Sequence, residues 1–179
     1  MLNDILIEKK TSVLKGWLKQ ILDTYPIETS RFLKQEKDRF LNPVGYTFTK
    51  EIEAIYEELL NEKNSDRLFA SLENIIKIKA VQEFSPSEAI SFIFILKGVI
   101  REELKNNIRG NDMAYELMEI DNKIDTLALL SFDIYMKCRE KIYEIRVNET
   151  KRNLSSFLKR AKLIYEIPDE ELSFKGKTI

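Results

Sequence analysis

The chain has 179 residues, a formal net charge of −1 and 33% charged residues, with five glycines and four prolines. So little glycine and proline excludes a loop-rich β fold, and the length allows one helical domain plus an extension. Histidine is absent and Cys138 is the only cysteine, which excludes an internal disulfide, a zinc site built on cysteine pairs and the proximal ligand of an ordinary haem globin. We therefore expect an all-α protein of the cytoplasm that holds no metal and no cofactor.

Apolar residues at helical spacing predict a first helix from Leu2 to Leu22. It is followed by Tyr25-Pro26, where the proline disfavours helix at the residue before it. Trp17 lies on the apolar face of this helix and is expected in the core. A second, shorter helix is predicted from residue 26 or 27 to residue 40. Its inward side chains are expected to be Phe32, Leu33, Phe40 and Leu41.

The stretch Asn42-Pro43-Val44-Gly45 has the residue preferences of a type I turn, with asparagine first, proline second and glycine fourth. We predict that the chain reverses here and that Thr47 or Thr49 caps the third helix. A fourth helix is predicted from about Asp66 to Phe84. The side chains expected to face inward from these two helices are Ile52, Ile55, Tyr56, Leu59, Leu60, Leu68, Phe69, Leu72, Ile75, Ile76, Ala80 and, as a further candidate, Val81.

The sharpest local signal is Ser85-Pro86-Ser87-Glu88. A serine cap, proline at the first helical position and glutamate three residues after the cap form a capping box, which predicts that a helix begins here. The helix continues to about residue 106–110 and is apolar on almost every side, so we expect it to be largely buried. Gly98 in its middle marks either a close helix crossing or a tolerated glycine.

Residues 111–167 contain neither glycine nor proline and predict one long final helix. Around Leu127–Tyr135 this helix is apolar on nearly every side, which is typical of a helix surrounded by others. We predict a helical core over residues 1–136 and an extension of the long helix over residues 137–179. The inward side chains of the first part are expected to be Leu117, Ile120, Ile124, Leu127, Ile134 and Cys138.

The segment Lys137–Lys162 holds nine lysines and arginines against three glutamates, a net charge of +6, so the rest of the chain carries −7. Such a charge split indicates a contact surface. The acidic residues within the segment argue against nucleic acid as partner, and no apolar stretch is long enough for membrane insertion. We predict a homodimer, or a contact with a signalling protein. The predicted interface residues are Ile142, Ile145, Leu154, Phe157, Leu158 and Ile164.

No recognisable catalytic motif occurs in the chain. The carboxylates near Glu102-Glu103 and from Glu116 to Asp125 lack the histidine partners of a di-iron bundle site, and a solvated face explains them better. A hydrolase that uses carboxylates alone is a weaker possibility. We therefore do not expect an enzyme.

Three stretches carry a family resemblance: DRFLNPVGYTF at 38–48, the run from residue 75 to 104, and the run from residue 120 to 149. Together they resemble the amino-terminal domain of RsbRD-type RsbT co-antagonists. The resemblance implies a sensory or regulatory module of bacterial stress-signalling assemblies, usually placed ahead of a STAS domain. Related domains have a haem-free, globin-like fold, which the resemblance implies for this chain. Together with the helices predicted above, the fold expected is a globin-like or helical-bundle domain of about six helices with a long carboxy-terminal helix.

The expected function is accordingly a non-enzymatic regulatory domain that acts by protein–protein contact through its final helix. A different class of function is also open. A helical bundle that encloses an apolar molecule would be a stand-alone carrier, or an accessory subunit of a membrane redox complex.

Overall fold

A computed structural model gives the structure of the chain and describes residues 2–36, 38–61, 64–105 and 111–161. All regular elements in these ranges are α-helices, which confirms the prediction of an all-α fold with a long carboxy-terminal helix. The chain divides into two structural units, Met1–Arg139 and Glu140–Ile179. The helices are α1 (Leu2–Glu8), α2 (Lys10–Asp23), α3 (Ile27–Gln35), α4 (Pro43–Asn61), α5 (Ser65–Val81), α6 (Pro86–Leu104) and α7 (Asn111–Arg160).

The predicted first helix divides into α1 and α2 at Lys9, which accounts for seven helices in the described ranges where about six were expected. Lys9 has a φ of −85° and a ψ of 6°, outside the helical well. Its N–H nevertheless donates to the Ile5 carbonyl at 2.9 Å, and its own carbonyl accepts from the Val13 N–H at 3.0 Å. The junction is therefore a bend within a nearly continuous hydrogen-bonded helix.

Helices α2 and α6 form the centre of the first unit. Trp17 of α2 is fully buried, stacks on Phe92 of α6 with ring centroids 6.3 Å apart, and donates its indole N–H to the Phe92 carbonyl at 2.6 Å. A Cβ at Gly16 would lie 3.2 Å from a methyl group of Val99, whereas a Cβ at Gly98 would meet nothing within 4 Å. The close crossing lies at Gly16, and Gly98 is a tolerated glycine.

The predicted turn at Asn42–Gly45 is instead the start of α4. The Asn42 side chain is buried and its Oδ1 accepts the Gly45 N–H at 2.8 Å, while its Nδ2 donates to the carbonyls of Leu33 and Glu36 at 3.0 and 2.8 Å. Neither Thr47 nor Thr49 caps the helix, because their hydroxyls donate to carbonyls four residues back. Asn42 is the cap that joins the end of α3 to the start of α4.

Helix α3 ends at Gln35, five residues earlier than predicted. Leu33 is buried as expected, but Phe32 is exposed, and Phe40 and Leu41 are 91% and 65% exposed in the connection to α4. The expected burial of these three side chains is therefore wrong. In α5 the inward prediction holds for Leu72, Ile75, Ile76 and Ala80 and fails for Phe69 and Val81, which are exposed.

Helix α5 ends at Val81, before the predicted Phe84. Glu83 adopts a left-handed φ of 63°, its N–H donates to the Ala80 carbonyl at 3.3 Å, and the Phe84 N–H donates to the Lys79 carbonyl at 3.1 Å. These two bonds form a Schellman motif, in which the residue after the left-handed position folds back onto the helix. The motif brings the Phe84 ring onto the Lys79 side chain.

Lys79 is fully buried, which is rare for lysine. Its Nζ has no hydrogen-bond partner among the described residues and lies 4.4 Å from the ring centroid of Phe84, 5.5 Å from that of Tyr25 and 5.8 Å from that of Phe48. Aromatic faces attract a cation. Burial, however, lowers the pKa of Lys79 to about 8, against a smaller opposing effect of the Glu88 carboxylate.

The capping box at Ser85 is confirmed. The Glu88 N–H donates to Ser85 Oγ, and Glu88 Oε2 accepts the Ser85 N–H at 2.9 Å. These bonds satisfy amide groups that would otherwise lack a partner at the start of α6.

We expect Ser85→Ala to lower the free energy of unfolding by about 1 kcal/mol, since it removes the side-chain acceptor at the amino terminus of α6. Urea denaturation measures this change. Ser85→Thr, which keeps the hydroxyl, is the matched control and should lose less. An alanine variant as stable as the wild type would contradict a role of this cap.

Helix α7 joins α5 and α6 within the first unit. The Tyr135 hydroxyl donates to the Phe84 carbonyl at 2.6 Å and Arg139 donates to the Ala80 carbonyl at 3.1 Å. Asp121 and Asp125 pair with Arg101 and Lys97 of α6, so these two carboxylates anchor the helix. Ile120, Ile124, Leu127 and Ile134 are buried as predicted, and Leu117 and Cys138 are partly exposed.

The expectation that α7 is surrounded on all sides near Leu127–Tyr135 is wrong. Leu129 and Phe132 are both exposed in this stretch. The sequence shows that these residues are apolar, but hydrophobicity alone does not show which side of a helix other helices cover.

Candidate partner interface

The second unit contains the part of α7 from Glu140 to Arg160. Five residues of this part follow one another at alternating steps of four and three residues, which places them on one face of an α-helix. They are Tyr143, Val147, Thr150, Leu154 and Phe157. All five side chains are exposed, Leu154 by 56% and Phe157 by 64%. We call these five residues the α7 heptad face. Four of them are large and apolar, an arrangement typical of a helix that packs against another helix.

The six interface residues predicted from the sequence do not share one face. Nine residues separate Ile145 from Leu154, so at 3.6 residues per turn they lie about 180° apart around the helix. Ile145 is 57% exposed on the opposite side, and Ile142 and Leu158 are partly exposed. Leu154 and Phe157 belong to the heptad face, whereas Ile164 lies outside the described residues.

Three residues of the heptad face, Tyr143, Val147 and Thr150, were missed by the sequence reasoning. The signal that identifies them is the strict alternation of four and three residues from Tyr143 to Phe157. A simple count of the apolar residues in this segment gives Ile142 and Ile145 equal weight, although Ile145 lies on the opposite side of the helix and Ile142 lies about 100° away from the heptad face.

Charged residues border the heptad face on both sides. Arg146 lies on one flank, and Glu144 and Lys151 lie on the other, in the positions that border the apolar seam of a coiled coil. From Glu140 to Arg160 there are six lysines and arginines against three glutamates, a net charge of +3. An apolar stripe with mixed charges at its edges is suited to a partner helix.

Two other kinds of site find no support in the described part of the chain. No helix there is both long and apolar enough to cross a membrane. Likewise, the described ranges contain no group of three cysteine, aspartate or glutamate side chains arranged to hold a metal ion.

Comparison with known proteins identifies a family and a relative. The family model described as the RsbT co-antagonist protein RsbRD N-terminal domain matches residues 11–150, which include α2 except its first residue, all of α3 to α6 and most of α7. A protein of Archaeoglobus fulgidus, described as an uncharacterized protein, is 24% identical over 155 residues that span 84% of this chain and 90% of the relative. No solved structure matches.

Proposed function

We propose that this chain, which belongs to the family of RsbT co-antagonist protein RsbRD N-terminal domains, is a non-enzymatic regulatory domain of a cytoplasmic stress-signalling assembly. It acts by contact between helix α7 and another protein helix. Membership of the family supports the regulatory class. The exposed α7 heptad face is the observation that carries the mode of action, since Val147, Leu154 and Phe157 all lie in water at coiled-coil spacing.

The partner helix that we propose is the same helix of a second copy. In an antiparallel pair with Tyr143 opposite Leu154 of the second copy, Glu144 lies beside Lys151 of the second copy, and symmetry repeats this contact. A parallel pair would instead bring two basic residues, Arg146 and Lys151 of the second copy, together on each side. Charge complementarity therefore supports an antiparallel homodimer.

We expect the full chain to have the mass of a dimer at micromolar concentration, and Leu154→Glu to have the mass of a monomer. The variant places a carboxylate at both symmetric positions of an apolar seam, which should weaken association by at least roughly 100-fold. Light scattering coupled to size-exclusion chromatography measures both masses.

Ile145→Glu is the matched control for this experiment. It introduces the same charge at a similarly exposed position of the same helix, on the side opposite Leu154, and should remain a dimer. A monomeric wild type would defeat the proposal of a homodimer. A dimer that Leu154→Glu leaves intact would place the contact elsewhere.

A further inference from the structure

A cavity of about 500 Å³ lies between α2, α3 and the start of α4. This volume is in the range of small-molecule sites in proteins. Leu18, Leu22 and Leu33 form its apolar part, and its surface is predominantly apolar. Leu22 and Leu33 belong to the buried core, so these walls are fixed by the fold.

Two polar side chains next to this apolar part, Asn42 and Thr49, already donate hydrogen bonds within the protein. Asn42 uses its amide in three hydrogen bonds that join α3 to α4, and the Thr49 hydroxyl donates to the Gly45 carbonyl. A ligand body with several hydroxyl or amide groups would lose more hydrogen bonds to water here than the Tyr46 hydroxyl and the remaining lone pairs of Asn42 and Thr49 replace. The inner part of the cavity is therefore suited to an aliphatic or aromatic body.

The rim of the cavity is basic. Lys15 and Lys19 are exposed on α2, one turn apart, and neither makes an ion pair or a hydrogen bond within the described ranges. Lys34 also lines the cavity but is paired with Asp23. Glu36 is the acidic residue of the lining, and its Oε1 accepts the Asp38 N–H at 2.7 Å. Lys15 and Lys19, neither in an ion pair with a described residue, thus lie at the rim of an apolar cavity whose described lining contains one carboxylate, Glu36.

We propose that this cavity binds an amphiphilic anion, with an aliphatic or aromatic body between Leu18, Leu22 and Leu33 and one carboxylate between Lys15 and Lys19. The two lysines attract a negative head group and disfavour a positive one. A neutral head group gains no ion pair, and a highly polar body loses more hydrogen bonds to water than the lining replaces. The site uses no residue of the α7 heptad face and does not rest on the proposed function.

Three probes with the same twelve-carbon body test the charge selection: dodecanoate, dodecanol and dodecyltrimethylammonium. Isothermal titration of the full chain gives the affinities, with dodecanoate and dodecyltrimethylammonium kept below their micelle concentrations and dodecanol below its solubility limit. We expect dodecanoate to bind with one site per chain, dodecanol at least roughly tenfold more weakly, and the cation without measurable binding. Equal binding of the three probes, or no binding of dodecanoate, would overturn the proposal.

Variants locate the site. Lys15→Glu with Lys19→Glu should weaken dodecanoate binding at least roughly tenfold and leave dodecanol unchanged. The control is the double variant that carries Lys77→Glu and Lys105→Glu. It changes the net charge by the same amount as the rim pair, at exposed side chains away from the cavity, and should leave both affinities unchanged. If this control pair weakens dodecanoate binding as much as the rim pair does, the net charge of the protein accounts for the effect and the site is wrong.

Two further measurements separate this site from other sources of binding. The Leu154→Glu variant should bind dodecanoate as the wild type does, so that failure of the dimer and failure of the ligand site are distinguishable. Vesicles of an anionic phospholipid should not bind the wild-type chain in a co-sedimentation experiment without dodecanoate. Vesicle binding that the rim substitutions abolish, without dodecanoate binding, would assign the lysines to a membrane surface and overturn the cavity.

Discussion

Lys79→Met should raise the free energy of unfolding by about 2 kcal/mol at pH 7. Lowering the pKa of a lysine from 10.5 to about 8 corresponds to a destabilisation of the folded protein by about 3 kcal/mol. The attraction of Phe84, Tyr25 and Phe48 for the ammonium group, about 1 kcal/mol, is lost with the lysine. Methionine fills a similar volume without a charge, so the net change is a gain.

The gain should shrink as the pH rises above 8. Below pH 8 the amine is protonated in the folded and the unfolded chain alike, and the folded protein carries the full cost of the buried charge. Between about pH 8 and 10.5 the folded form releases its proton first, so the wild type becomes more stable with pH. Urea denaturation at pH 7, 8, 9 and 10 should therefore show the two proteins converging.

Lys77→Met is the control, because Lys77 lies on the same helix with an exposed side chain paired to Glu73. Its effect should be within about 0.5 kcal/mol at every pH. If Lys79→Met destabilises the protein at pH 7, the three rings stabilise the ammonium group by more than its burial costs.

Asn42→Ala should lower the free energy of unfolding by about 3 kcal/mol. The substitution leaves the Leu33 carbonyl, the Glu36 carbonyl and the Gly45 N–H without their partner, and each buried group left unsatisfied costs about 1 kcal/mol or more. Asn61→Ala, which removes one exposed hydrogen bond to the Glu57 carbonyl, should cost less than about 1 kcal/mol. Denaturant midpoints of the two variants give the comparison.

Gly45→Ala tests the same contact between Asn42 and Gly45 by changing the glycine. A Cβ at this position would lie 2.3 Å from Asn42 Nδ2, a distance at which the asparagine has to move and its hydrogen bonds break. In a chain that already carries Asn42→Ala the obstructing atom is gone, so the second substitution should add little. Two additive effects would contradict the contact between these residues.

The Asn42–Gly45 stretch shows how far the sequence alone can go. Its residue preferences indicate a type I turn, but the first turn of a helix has similar dihedral angles and also favours asparagine at the cap and proline next. The sequence therefore predicts that a turn or a helix starts at this place, but it does not distinguish between the two. The capping box at Ser85 was predictable in full, since proline and glutamate at those positions fit a helix start and little else.

Lys79 and the heptad face were missed for opposite reasons. Lys79 falls on the same helical stripe as Leu72, Ile75 and Ile76, but a charged residue type suggests an outward side chain, whatever its position. In the second unit, Ile145 was included in the interface because it is apolar, although its position lies on the other side of the helix. At both places helical position identifies the side of the helix more reliably than residue type.

Trp17 also provides an intrinsic fluorescence probe, because the chain contains no other tryptophan. A fully buried indole stacked on Phe92 and bonded to its carbonyl emits at shorter wavelength than one in water, so a red shift marks the separation of α2 from α6. The heptad face contains no tryptophan, and its association should leave the emission unchanged. Folding and dimer formation can thus be followed in one sample, the first by emission wavelength and the second by anisotropy.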